Sequence, residues 1–110
     1  MKIPNAKNAF VEVSKLRDYC LNPSHEVGKH KARVFASALG LSRNDVLVLR
    51  DALLSAVKTN EAVAGKANKF GKRYILDFDF EHADKIARIR SVWIVDAGAE
   101  IPRLVTCLVL

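Results

Sequence analysis

The residues able to do chemistry gather in one stretch, Ser24-His25-Glu26-Val27-Gly28-Lys29-His30-Lys31-Ala32-Arg33. Loop residues there run into a helix start, where free backbone N–H groups and the helix dipole favour an anion. Lys29, Lys31 and Arg33 add positive charge around the same point, so the stretch suits a phosphate. It suits equally a solvated, basic helix end. His30 in the first turn is placed to act as a general base towards a ribose 2′-hydroxyl. It also stands one turn from Val34, where a histidine simply flanks a core. Arg33, three residues on and on the same side of the helix, can stabilise the added charge of a pentavalent phosphate. His25 and His82 read as exposed loop residues.

Other candidates lie in the second half. Thr106, polar within an apolar run, is either a hydrogen-bond donor to a phosphate oxygen or an ordinary β-branched strand residue. Lys66, Lys69, Lys72 and Arg73 surround Phe70 and Gly71 as a basic stretch fit for nucleic-acid backbone contacts, or as a solvated loop. Arg90 and Arg88 can bind phosphate, but Asp77 and Asp79 offer them plain cross-strand ion pairs. Trp93 and Phe78 read as core. The two cysteines, Cys20 and Cys107, stand far apart in sequence outside any metal-type cluster and read as reduced thiols in a cytoplasmic protein, with a lone disulfide as the alternative. The scattered histidines give no zinc spacing, so no metal and no cofactor are expected.

These groups must be positioned by a chain of 110 residues, the size of a single domain over 1–110. Half of its residues are hydrophobic, enough for a core. Eighteen Lys and Arg against twelve Asp and Glu give a net charge of +6, which favours a polyanionic or acidic partner. The longest apolar run, Leu104 to Leu110, is too short to span a membrane. Nor does an apolar targeting core follow Lys2.

The pattern is that of an α+β domain: helices first, then strands. Ser14 is placed to cap a short helix over Lys15–Leu21, with Leu16, Tyr19 and Cys20 as its apolar side. A second helix spans Lys29–Leu39 with Gly40 as a left-handed stop. Ser42 and Asp45 form a capping arrangement for a third, reaching about Lys58 on a stripe of Val46, Leu49, Leu53 and Val57. Tyr74, Leu76, Phe78 and Phe80 alternate with Arg73, Ile75, Asp77 and Asp79 as a half-buried strand. Ile86–Val95 and Leu104–Leu110 follow, and Glu61–Lys66 adds a short edge strand. The N-terminal helices should therefore pack on one face of a three- to four-stranded antiparallel sheet.

A four-residue turn at His82–Lys85 sets Phe80 opposite Ala87, Phe78 opposite Ile89 and Tyr74 opposite Trp93. It sets Asp79 opposite Arg88 and Asp77 opposite Arg90 on the other face. A slip of one residue would lose both burial and charge pairing. For the last strand, pairing Trp93 with Val105 sends Val105, Cys107 and Val109 inward. Thr106 then joins Arg88 and Arg90 outside, beside Ile75, Val92, Ile94, Leu104, Leu108 and Leu110; the opposite register would bury Thr106. So much apolar surface beside charge calls for a covering partner or a second copy of the chain, a homodimer.

The segments L-N-P-S-H-E-V-G-K-H-K-A-R-V-F, G-K-R-Y-I-L-D-F, S-V-W-I-V and P-R-L-V-T-C resemble, over nearly the whole chain, a small bacterial family catalogued as a domain of unknown function. Its members occur beside small antitoxin-like genes and as C-terminal modules of polymorphic toxins. More loosely, the chain is similar to the barnase–EndoU–colicin–RelE toxin ribonucleases, which place helices before a four-stranded antiparallel sheet and cleave RNA without metal. Several of these use a helical His and Arg with a Thr-x-Tyr pair on a late strand. His30, Arg33 and Thr106 match in that order, while Leu108 departs from the tyrosine.

The resemblance implies a metal-independent endoribonuclease, the toxin of a toxin–antitoxin pair, with RNA as substrate and an antitoxin-like protein as partner. His30 would activate the 2′-hydroxyl, Thr106 would orient a phosphate oxygen, and Lys31, Arg33 and Arg90 would hold the phosphate. Lys29, Lys72 and Arg73 would add contacts to RNA. The alternatives are a non-catalytic interaction module, antitoxin or immunity partner, and a plain RNA-binding domain.

Overall fold

A computed structural model describes residues 1–110. A 3-10 turn at Ala6–Asn8 precedes a first helical segment, α1, which is α-helical over Val13–Lys15 and π-helical over Leu16–Cys20. Helix α2 spans Lys29–Leu39 and α3 spans Val46–Thr59. Strands β1 (Val63–Asn68), β2 (Gly71–His82), β3 (Lys85–Asp96) and β4 (Arg103–Val109) form one antiparallel sheet in the order β1-β2-β3-β4. This is an α+β fold.

The helices form where the sequence places them, with one correction. Gly40 ends α2 at φ 64, and Ser42 with Asp45 closes a capping box ahead of α3. The first segment instead begins at Val13, with Glu12 at its N-cap and Ser14 inside it, bonded to the Glu12 carboxylate at 3.2 Å. Its second half widens into a π turn, closed by the Leu21 N–H donating to the Leu16 carbonyl at 2.8 Å. Such turns are uncommon and tend to occur at functional sites.

The β2–β3 register is the one that charge and burial demand. Tyr74↔Trp93, Phe78↔Ile89, Phe80↔Ala87, Asp77↔Arg90 and Asp79↔Arg88 are all paired. The connecting turn holds Ala83 at φ 51 and Asp84 at φ 60, the primed geometry that fits a two-residue hairpin. Tyr74, Leu76, Phe78, Ile89 and Trp93 are buried together with Leu16, Phe35, Leu39, Leu49, Leu53 and Val57 from the helices. Ser91, the one buried polar residue, donates to the Leu76 carbonyl at 2.7 Å and accepts from the Trp93 indole at 2.9 Å.

The last strand departs from expectation at one residue. Ile89↔Val109, Ser91↔Cys107 and Val92↔Thr106 keep the expected register, but Trp93 pairs with Leu104. Val105 is surplus, a β-bulge. Leu104 consequently turns inward and is buried, as is Ile94, so the outer face is less apolar than the alternation suggests.

Candidate functional site

The bulge also decides where Thr106 points. Consecutive residues of a regular strand face opposite sides, and a bulge breaks that rule and re-aims a side chain. Val105 and Thr106 accordingly line the same cleft, with Lys15, Tyr19 and Lys31 as its other walls and a volume of about 450 Å³. Thr106 was expected on the outer face beside Arg88 and Arg90. It sits instead at the helix-side edge of the sheet.

Lys31 Nζ donates to Thr106 Oγ1 at 2.9 Å and lies 5.1 Å from the centroid of the Tyr19 ring. No carboxylate lies within ion-pairing distance of it. Beneath it the Cys20 thiol lies 3.9 Å from Thr106 Oγ1. Cys20 and Cys107 are both free and buried. The Cys107 thiol hydrogen-bonds Cys20, and against the opposing effect of burial this contact lowers the Cys20 pKa to about 6. The Cys107 backbone N–H, Thr106 and the Lys31 charge act in the same direction. Cys107 is pushed the other way, first by that same contact with Cys20 and then by burial.

Two local features bring these groups together. The π turn carries Tyr19 and Cys20 towards β4. Gly28 lets the start of α2 abut that turn, because a Cβ at this position would overlap the Tyr19 carbonyl. The phase of α2 then follows from its core side, Ala32, Phe35 and Leu39. At about 100° per residue, Lys31 falls on one flank of that side and Arg33 on the other, with His30 away from the core.

His30 is exposed, and neither it nor Arg33 lines the cleft. Arg33 borders a separate hollow with Pro23, Ser42 and Arg43. The expected convergence of His30, Arg33 and Thr106 is thus replaced by Lys31 with Thr106. Arg90 is bound through two hydrogen bonds to Asp77 at 2.9 and 3.0 Å and lines an outer-face hollow with Arg88 and Ile75. Its hydrogen bonds hold the Asp77 pKa below its ordinary value. Lys29 is half-buried and makes no side-chain hydrogen bond, Lys72 lies over the Tyr74 ring at 5.6 Å, and Arg73 is exposed and unpaired.

The start of α2 is partly capped from within. His25 Nδ1 accepts from the Val27 and Gly28 N–H groups at 3.0 and 2.9 Å, and its carbonyl accepts from Lys29 N–H at 2.9 Å. Its ring stands edge-on to Tyr19, with centroids 4.8 Å apart. Sequence reasoning missed Tyr19, Lys15 and this role of His25. The phase of Ala32, Phe35 and Leu39 was the available signal for preferring Lys31 to His30. No group of three His, Cys, Asp or Glu side chains is arranged to hold a metal ion, and no helix is long and apolar enough to cross a membrane.

Residues 2–110 match the family model described as domain of unknown function DUF6883. The chain belongs to the DUF6883 family. No curated protein shows a significant match. The DUF6883 fold is similar to a chain of a contact-dependent growth inhibition toxin–immunity protein complex from Klebsiella pneumoniae 342. The TM-score is 0.72 at 21% identity, covering 91% of this chain and 98% of that one. At that identity the likeness is one of fold.

Proposed function

We propose that the protein is the toxin of a toxin–antitoxin or toxin–immunity pair and acts as a metal-independent endoribonuclease. The observation that carries this reading is the Lys31 ammonium, half-buried and without a carboxylate partner, bonded at 2.9 Å to the Thr106 hydroxyl in an open cleft. Thr106 accepts that bond, and its own proton can turn from the Cys20 sulfur, 3.9 Å away, to a ligand, so the pair offers two hydrogen-bond donors and a positive charge to one phosphate. Lys15 extends the charge, and Tyr19 presents a phenol at the wall. When a ribose 2′-hydroxyl attacks the adjacent phosphorus, Lys31 and Thr106 stabilise the added negative charge of the pentavalent state. The P–O5′ bond breaks, the 2′-hydroxyl proton passes to solvent water and water protonates the departing 5′-oxygen, giving a 2′,3′-cyclic phosphate and a 5′-hydroxyl end. His30 lies outside the cleft and is assigned no proton transfer.

The fold neighbour, a chain from a toxin–immunity complex, supports a protein partner for this chain as well. A second reading, a non-catalytic interaction module of the antitoxin or immunity type, is favoured by Val63 and Ile75 on the outer face, 72% and 40% exposed, and by Leu108 in place of a tyrosine.

The test is to induce the gene alone in a bacterial host and follow growth and RNA integrity, with Lys31→Ala alongside. Arrest with fragments ending in cyclic phosphate, in lysates with or without chelator, is the expected result. Harmless expression with intact RNA overturns the nuclease reading, and rescue from a neighbouring gene's toxicity establishes the second one.

A further inference from the structure

The β1–β2 hairpin ends in a two-residue turn, Lys69–Phe70, that is built rigidly around an exposed aromatic ring. Phe70 N–H donates to Asn68 Oδ1 at 2.8 Å, and the Phe70 carbonyl accepts from Ala97 N–H at 3.0 Å. Gly71 follows at φ 141, where a Cβ would overlap the Val95 carbonyl, so the backbone is pinned from both sides. The ring itself is left 65% exposed, with Lys69 Nζ 5.1 Å from its centroid. No acidic residue occurs between Glu61 and Asp77, and Lys66, Lys69, Lys72 and Arg73 form no ion pair. A held, solvent-facing aromatic among unneutralised cations is the arrangement that stacks a base while binding the backbone beside it.

This tip lies at the same end of the sheet as the cleft. Gly71 pairs with Asp96, whose carboxylate is clamped by Arg103 at 2.6 and 3.0 Å and also feels the charge of Lys15, a wall of the cleft. Thr106 lies opposite Val92, which pairs with Ile75. Four residues along the sheet and two strands across therefore separate Gly71 from Thr106, roughly 15–20 Å. Of the acids along this end, Glu12 and Asp96 both face Arg103, and Glu100 is exposed in the β3–β4 loop.

We infer that Phe70 and its flanking cations form a second RNA contact, a base-stacking subsite for a nucleotide a short way along the strand from the phosphate held by Lys31 and Thr106. The inference rests on the proposed nuclease reading and assigns to the hairpin the choice of single strand over duplex, because only an unpaired base offers a free face. A protein strand added to the open edge of β1 would use the same cations without the ring. The bulge between Ala64 and Ala67 breaks that edge and disfavours such pairing.

The experiment measures equilibrium binding of fluorescent 2′-O-methyl oligouridylates, which lack the attacking hydroxyl, of about two, five and ten nucleotides to the full chain and to Phe70→Ala and Phe70→Trp. Phe70→Ala should weaken the longer ligands about tenfold and leave the dinucleotide unchanged. Phe70→Trp should retain affinity, with its added fluorescence quenched on binding. Equal affinity of wild type and Phe70→Ala for the longer ligands overturns the subsite while leaving the nuclease reading standing, and assigns the edge to a protein partner. Absence of RNA binding by the wild type, in a Lys31→Ala background as well, removes both.

Discussion

Two regions of this domain are built around cations, and they treat them in opposite ways. On the outer face of the sheet Arg88 and Arg90 each face an aspartate across the hairpin, at 3.0 and 2.9 Å, and their charge is spent on register. In the cleft at the edge of β4, Lys31 has a hydroxyl, an aromatic ring and a thiol for neighbours, and no carboxylate. Positive charge alone marks neither region as functional. What separates them is whether a carboxylate already occupies the cation: the Cys20 sulfur lies beneath Thr106, but no carboxylate fills the place a ligand's anionic oxygen would take beside Lys31.

The sharpest way to break this comparison is to remove one cation from each region. Lys31→Ala should lower RNA cleavage at least about 100-fold, the scale of a lost electrostatic stabiliser, while Arg90→Ala should stay within about threefold. Equal losses in a cleavage assay would erase the distinction. Next in size is Gly28→Ala, which forces α2 away from Tyr19. An overpacking cost of about 2–3 kcal/mol is expected in urea unfolding, with cleavage falling alongside because Lys31 moves with the helix. Asp77→Asn tests the outer face directly. The folded Asp77 has a lowered pKa, so its contribution is complete above the ordinary aspartate range and fades as pH falls through the folded value. The variant should lose less than about 1 kcal/mol at pH 7, and the difference should vanish in acid once the Asp77 carboxylate of the folded protein is protonated. The smallest effect belongs to His30→Ala, with stability within about 0.5 kcal/mol and cleavage within about twofold. A large loss of cleavage there, in a folded variant, would return the imidazole to the mechanism.

Much of the fold was legible in the sequence because several signals agreed. The β2–β3 register was fixed jointly by burial of Phe78 and Trp93 and by the pairing of Asp77 and Asp79, and either alone would have left a one-residue slip open. The third helix was announced by Ser42 and Asp45. The bulge was not legible, since Val105 is as β-branched and apolar as any strand residue around it. Nor was the π turn, because Leu16–Cys20 carries the same apolar spacing as an ordinary helix. The candidate site failed in the sequence at the helix phase. His30 drew attention through its chemistry, whereas Phe35 and Leu39 turn Lys31 to the cleft. Tyr19 was assigned to the core because its neighbours Leu16 and Cys20 belong there.

The surplus residue in β4 makes strand length part of the machinery. With Leu104 seated against Trp93, excising Val105 would leave Thr106 opposite Val92 and Cys107 opposite Ser91 but would restore strict alternation to the strand. Every side chain of the anion pocket except Val105 would still be encoded, yet the hydroxyl would turn to the outer face, away from Lys31, while the thiol stayed inward. Activity in such a strand can thus be gained or lost by a single-codon indel that changes none of the residues a chemist would have chosen to mutate.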